Sequence, residues 1–180
     1  MKQLMMVIAL GLLAPHSAPA KDDALDLTPK WEFVADTVMG GVSEGAVAEV
    51  KLAGRDATRL TGQVSLENNG GFVQMAFDLM PGGGAFDASD FSGLEIEVYG
   101  NDEIYDLRLR TTALTRPWQS FRTAFNAPAK WTIIRVPFGK IAPNKTDATF
   151  DAADLRRIGI LAYGREMRAD IAVAAIRFYR

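Results

Sequence analysis

The sequence predicts an all-β chain folded as a two-sheet antiparallel β-sandwich, a jelly roll, with at most one short helix near 151–157. Three observations carry that expectation. Apolar residues alternate with polar ones in short runs, each run is closed by Gly, Asn, Asp or Pro, and helical periodicity nowhere lasts long enough to compete. About nine such runs occur without βαβ alternation or an internal repeat, which favours a sandwich over a parallel sheet.

The chain begins with Lys2, an apolar run from Leu4 to Ala14, and Ser17-Ala18-Pro19-Ala20 ahead of the charged Lys21-Asp22-Asp23. A basic start, a short apolar stretch and an Ala-x-Ala site read as a secretory signal spanning 1–20 and cut after Ala20. The run is well short of the ~20 apolar residues that a spanning helix needs, so no stable membrane insertion is expected after cleavage. A periplasmic or secreted protein follows. Residues 21–30, polar and ending in Thr28-Pro29, read as an N-terminal arm, and 31–180 as a single domain.

Composition removes several chemistries. His16, the only histidine, lies within the expected leader, and the sequence contains no Cys. An ordinary zinc site therefore lacks its ligands. Lys and Arg number 20 against 22 Asp and Glu, which gives no basic face for nucleic acid. Neither Gly-Gly pair leads into a phosphate loop, and no Gly-x-Gly-x-x-Gly opens a helix, so no cofactor is expected. Calcium, which takes oxygen ligands, is conceivable at the loop acids Asp87, Asp90, Asp102, Asp147, Asp151 and Asp154. Solvated acids are the plainer reading of them.

The runs then follow in order. Trp31 to Ser43 ends in Asp36-Thr37-Val38-Met39-Gly40-Gly41-Val42-Ser43, and Leu66-Glu67-Asn68-Asn69-Gly70-Gly71-Phe72 echoes it. Paired glycines permit positive φ and close backbone approach, and Asp36, Asn68 and Asn69 can bond local amides, so both stretches read as tight corners. Leu60, Val64 and Leu66 face Val73, Met75, Phe77 and Leu79 across the second corner, as a hairpin. Pro81 to about Gly93 is a glycine-rich loop. Leu94, Ile96 and Val98 and then Tyr105, Leu107, Leu109 and Thr111 form a second hairpin across Gly100-Asn101-Asp102. Phe121 to Phe125, Trp131 to Phe138, Ile158 to Tyr163 and Ile171 to Tyr179 complete the strands. Between them Asp151 can cap a turn or two, with Leu155 packing inward.

Asp36 to Ser43, with Leu66 to Phe72 and Trp131-Thr132-Ile133-Ile134-Arg135-Val136-Pro137-Phe138, resembles the complex I intermediate-associated protein 30 domain family over Trp31 to the C-terminus. That resemblance implies a β-sandwich of the galactose-binding-domain type. It marks Asp36, Met39, Gly40, Gly41, Ser43, Asn69, Gly70 and Gly71 as the family-motif turn. Mitochondrial members help assemble respiratory complex I, which implies an accessory or assembly-factor-like protein that binds another protein. The same type of sandwich also serves carbohydrate-binding modules, which are the alternative.

Gly41-Val42-Ser43-Glu44-Gly45 fits the hydrolase nucleophile pattern, but a serine nucleophile needs a base, and the processed chain has no histidine. Ser43 is instead expected to bond the backbone of its own turn. Asn144-Lys145-Thr146 matches a glycosylation sequon and implies an exposed loop. The polar strand faces offer Glu95, Glu97, Arg108, Arg110 and Arg122, which share neighbouring strands if consecutive strands pair, bordered by Tyr99, Trp118 and Tyr163. One reading is a solvated face with cross-strand ion pairs worth about 0.2–1 kcal/mol each. The other is a concave binding surface on which Arg108, Arg110, Trp118, Arg122 and Tyr163 combine guanidinium forks with aromatic platforms. Trp118 stands out because no apolar alternation explains it, whereas Trp31 and Trp131 adjoin strands and are expected in the core.

Overall fold

The computed structural model describes residues 24–180; the expected signal segment 1–20, with His16, lies outside the described residues. The strands are β1 (Ala24–Asp26), β2 (Glu32–Ala35), β3 (Glu44–Leu52), β4 (Arg55–Val64), β5 (Phe72–Asp78) and β6 (Gly93–Tyr99). They continue with β7 (Glu103–Thr111), β8 (Ser120–Ala127), β9 (Thr132–Pro137), β10 (Ala142–Asn144), β11 (Leu155–Tyr163) and β12 (Met167–Tyr179). Two antiparallel sheets result. The first runs β3-β4-β12-β6-β9, with β1 added to the far end of β12, and the second runs β10-β8-β7-β11-β5-β2. Among the described residues no helix is long and apolar enough to cross a membrane.

Period-two alternation explains how the sheets face each other. Leu60 and Val64 on β4, Leu94, Ile96 and Val98 on β6, and Ile171 and Phe178 on β12 turn inward from the first sheet. Val73 and Met75 on β5, Leu107 and Leu109 on β7, and Ile158 and Ile160 on β11 meet them from the second. Every one of these side chains is fully buried, giving a single core between two layers.

The two expected hairpins are not hairpins. β4 pairs with β3 and β12, while β5 pairs with β2 and β11, so the Asn68 to Gly71 corner carries the chain from one sheet to the other. Likewise β6 pairs with β12 and β9, whereas β7 pairs with β11 and β8. In both cases the apolar residues of the two strands face each other across the core rather than lying side by side. Alternation reports which side of a strand is buried, and a hairpin and a sheet-to-sheet corner bury the same parity. Leu66 lies beyond the end of β4 and is exposed.

A true two-residue hairpin joins β3 to β4 through Ala53 and Gly54, both at positive φ as a type I′ turn requires. The short helical element is a 3₁₀ turn, Ala152–Asp154, with the Asp151 carboxylate accepting from the Ala153 amide at 2.9 Å. Leu155, directly after it, is fully buried and already part of β11. Trp31 packs edge-on against Phe77 at the core margin, with ring centroids 4.7 Å apart. Trp131 does not join the core: half-buried, it packs against Tyr99 and donates its indole N–H to the Leu52 carbonyl at 3.2 Å.

Candidate functional site

The outward face of the second sheet holds the site, and its strand register explains its shape. Asp78, Arg157 and Arg110 form one row across β5, β11 and β7; Ala76, Gly159, Arg108 and Arg122 form the next, reaching β8; Gln74, Leu161 and Asp106 form a third. Small residues at Ala76 and Gly159 leave a hollow beside Arg108. Around it opens a cleft of ≈ 470 Å³, with Gln74, Arg108, Arg110, Arg157, Leu161 and Tyr163 on the floor and Pro117 and Trp118 on one wall. Val38, Met39 and Phe72 form the opposite wall, and Asn144 and Lys145 the rim.

The glycine corner builds that opposite wall. Asp36 is fully buried, and its carboxylate accepts from the Ser43 amide at 3.0 Å, the Ser43 hydroxyl at 2.5 Å, the Gly71 amide at 2.5 Å and the Phe72 amide at 3.2 Å. Burial alone would raise its pKa, but the Ser43 hydroxyl and the three amides together outweigh burial and hold it below the ordinary 3.8. Gly40 closes the 3₁₀ turn Asp36–Met39 at φ 90°. Gly41 and Gly70 are needed for space: a Cβ at Gly41 would lie 2.3 Å from one carboxylate oxygen of Asp36, and one at Gly70 would lie 2.6 Å from the other. Asn68 and Asn69 supply left-handed backbone, at φ 55° and 58°.

Both halves of the motif are thus tied to one carboxylate, and the turn it holds projects Val38 and Met39 outward, 71% and 60% exposed. Ser43 is buried with its hydroxyl between Asp36 and Ser65, whose amide it accepts at 2.9 Å. It is a structural residue that bonds across the two corners rather than within its own turn alone. Its oxygen is not placed as a nucleophile.

The guanidinium groups have three distinct roles. Arg110 reaches across to the 112–119 loop and donates to the carbonyls of Pro117 at 2.7 Å, Arg116 at 3.0 Å and Leu114 at 3.4 Å. Burial, with the nearby charges of Arg156 and Arg157, pushes its pKa down. It positions the loop that carries Trp118, which is 51% exposed. Arg157 is paired with Asp78 at 2.9 Å and Glu32 at 3.0 Å. Arg122 donates to Asp106 at 2.8 Å and lies outside the cleft lining, bracing that buried carboxylate from the β8 side. Arg108 lies over the Tyr163 ring at 4.3 Å; its contact with Asp106 is 3.3 Å long, and its Nε has no hydrogen-bond partner.

Arg108, Arg110, Trp118 and Tyr163 line one cleft, and Met39 joins them from the motif turn. Glu95, Glu97 and Tyr99 do not, because β6 belongs to the other sheet. Glu95 pairs there with Arg135 at 2.6 Å and Arg177 at 3.4 Å, Glu97 pairs with Arg55, and Tyr99 packs on Trp131. Gln74, Val38, Lys145 and Arg157 were not legible as site residues; Arg157 does hold the outward parity of its strand, one position before Ile158. Among the described residues no group of three or more acidic side chains converges in a way that could hold a metal ion. Asn144 of the sequon is half-buried and donates to the Ser120 hydroxyl at 3.1 Å.

A family model described as Complex I intermediate-associated protein 30 matches residues 21–171. The chain belongs to this family. No curated protein matches it. Among solved structures, it is similar to the family 11 carbohydrate-binding module from Clostridium thermocellum in complex with a β-1,3-1,4-mixed-linked tetrasaccharide. That match has a TM-score of 0.70 at 11% identity and covers 89% of this chain and 97% of that one. A family 30 carbohydrate-binding module from a Clostridium thermocellum cellulosomal cellulase is also similar, with a TM-score of 0.59, 14% identity, and coverage of 86% and 96%. These likenesses establish the galactose-binding-type β-sandwich, the fold the family resemblance implies.

Proposed function

We propose that this member of the complex I intermediate-associated protein 30 family is a non-catalytic binding protein that holds a segment of a partner protein in the cleft of its second sheet. One observation carries the reading. An exposed Trp118, held in place by Arg110 through three carbonyls, stands across a guanidinium floor from the exposed Val38 and Met39. Two apolar walls facing a polar floor suit side chains of a polypeptide, and an aromatic on a pinned loop is the form that interface anchors take. The acids nearest the floor, Asp78, Asp106 and Glu32, are each tied to an arginine, which leaves none placed as a general base.

Carbohydrate binding is the second reading, favoured by the aromatic faces of Trp118 and Tyr163 bordering one cleft and by the binding modules that share the fold. One variant separates the two. Trp118→Ala should leave the melting temperature nearly unchanged, since the ring is half in solvent, and should weaken the partner by about 2 kcal/mol or more. Arg110→Ala, which frees the loop, should weaken it as well. Pull-down from native envelope extract and a glycan array that includes mixed-linked β-glucan would be read side by side. Full retention of every partner by both folded variants would sink the cleft as the binding site.

Export completes the proposal, supported by Lys2, the apolar run and the Ala18-Pro19-Ala20 site. Intact mass of protein from the periplasmic or secreted fraction should correspond to a chain beginning at Lys21. Recovery solely as full-length chain in the cytosol would overturn it.

A further inference from the structure

The cleft lining contains Arg108, Arg110, Arg157 and Lys145 but no Asp or Glu, in a chain whose net charge is −2. That local reversal of sign is not cancelled by the neighbours. Arg157 has two carboxylates, but Arg110 spends its hydrogen bonds on neutral carbonyls, so its charge has no anionic hydrogen-bond partner.

Arg108 goes further. A guanidinium offers five N–H donors, and among the described residues this one has a single acceptor, Asp106, at the long distance of 3.3 Å. Its Nε is buried and has no partner among the described residues, and its guanidinium carbon lies 4.3 Å from the centre of the Tyr163 ring. Gln74, across the hollow left by Ala76 and Gly159, lines the same pocket, and its side chain makes no hydrogen bond among the described residues. Under-used donors in a partly desolvated site gain most from an acceptor that carries charge and has two oxygens.

We infer, building on the proposed protein-binding role, that the bound segment is an acidic peptide. A carboxylate side chain sits at Arg108 and Gln74, and a neighbouring aliphatic or aromatic side chain sits between Met39 and Trp118. The charge of Arg110 behind the fork adds to the field on that carboxylate, and the apolar walls select against a purely polar polyanion.

The experiment pans a display library of random dodecapeptides against the full chain and then compares each selected peptide with its Glu→Gln or Asp→Asn twin. The expected result is selected peptides carrying an acid beside an apolar residue, with twins at least about tenfold weaker. Added salt should weaken the acidic peptides and leave the twins unchanged. Arg108→Gln should abolish the difference between twins. If that variant does not fold, Arg108→Lys, which keeps the charge and loses the fork, should remove most of it. Equal binding of acidic peptides and twins, still dependent on Trp118, overturns the acidic assignment and leaves the protein-binding role standing. Absence of any peptide whose binding depends on Arg108 or Trp118 overturns both. Polygalacturonate or mixed-linked β-glucan bound in the cleft in place of peptide moves the site to carbohydrate and overturns the inference with it.

Discussion

Replacing Asp36 by alanine should destabilise the protein by more than about 3 kcal/mol, because it strands several buried donors at once. The amides of Ser43, Gly71 and Phe72 and the Ser43 hydroxyl all lose their acceptor. Each buried donor left unmade costs about 1–3 kcal/mol, and a charged acceptor lies at the upper end. Urea unfolding measures the loss; a cost under about 1 kcal/mol would show that the corner is held by something else. The pH dependence carries a sign. Since the folded-state pKa of Asp36 lies below 3.8, its contribution is complete above the unfolded value and is lost as pH falls through the folded one. Wild-type protein should therefore lose more stability than Asp36→Asn as pH falls below the ordinary carboxylate value of 3.8, and the two should run parallel at neutral pH.

A second large effect is expected at Gly41, and it exceeds the effect at Gly40. Positive φ alone would single out Gly40, yet a Cβ there meets open space and costs only the left-handed strain of about 1–2 kcal/mol. At Gly41 the Cβ would lie within the Asp36 carboxylate, 2.3 Å from an oxygen and 2.4 Å from its carbon. The carboxylate must then leave its donors, so Gly41→Ala should cost more than about 2 kcal/mol and approach Asp36→Ala. The double variant should be far from additive. Denaturant midpoints with an unchanged slope test the order, and Gly40→Ala proving the worse of the two would refute the steric account.

The pattern of alternation made β4 to β9, β11 and β12 legible, because a strand with one face in the core shows period two; β1, β2, β3 and β10 were not singled out, being short or, in β3, without a buried residue. It could not say which strand lies beside which. The seven residues Ser65 to Gly71 have room to cross between sheets, but the three residues Gly100 to Asp102 also cross, at a length that fits a hairpin, so connection length could flag the first corner and not the second. That single ambiguity moved Glu95 and Glu97 to the wrong sheet. Arg108, Trp118 and Tyr163 were legible as candidates because a guanidinium-rich strand face beside a loop tryptophan stands out, although a solvated face with ion pairs explained the arginines equally well. Gln74 and Arg157 were not, because a polar residue on the outward side of a strand looks the same whether it faces bulk water or a cleft. The link between the glycine motif and the cleft was also hidden: no local signal shows that Val38 and Met39 line the same cleft as Arg108 and Tyr163.

The place of β12 in the first sheet bears on the order in which the molecule can assemble. As the domain's final strand, it joins β4 on one side to β6 on the other and also receives β1. It follows the other described strands in sequence, so before it forms the β3–β4 and β6–β9 pairs have no common partner and the first layer of the core is incomplete. Folding that waits for such distant contacts is slow and close to all-or-none. The first sheet cannot close until β12 is present through Tyr179, because its pairing with β6 runs to that residue. Loss of those last residues to a protease would dissolve the whole layer rather than trim an edge.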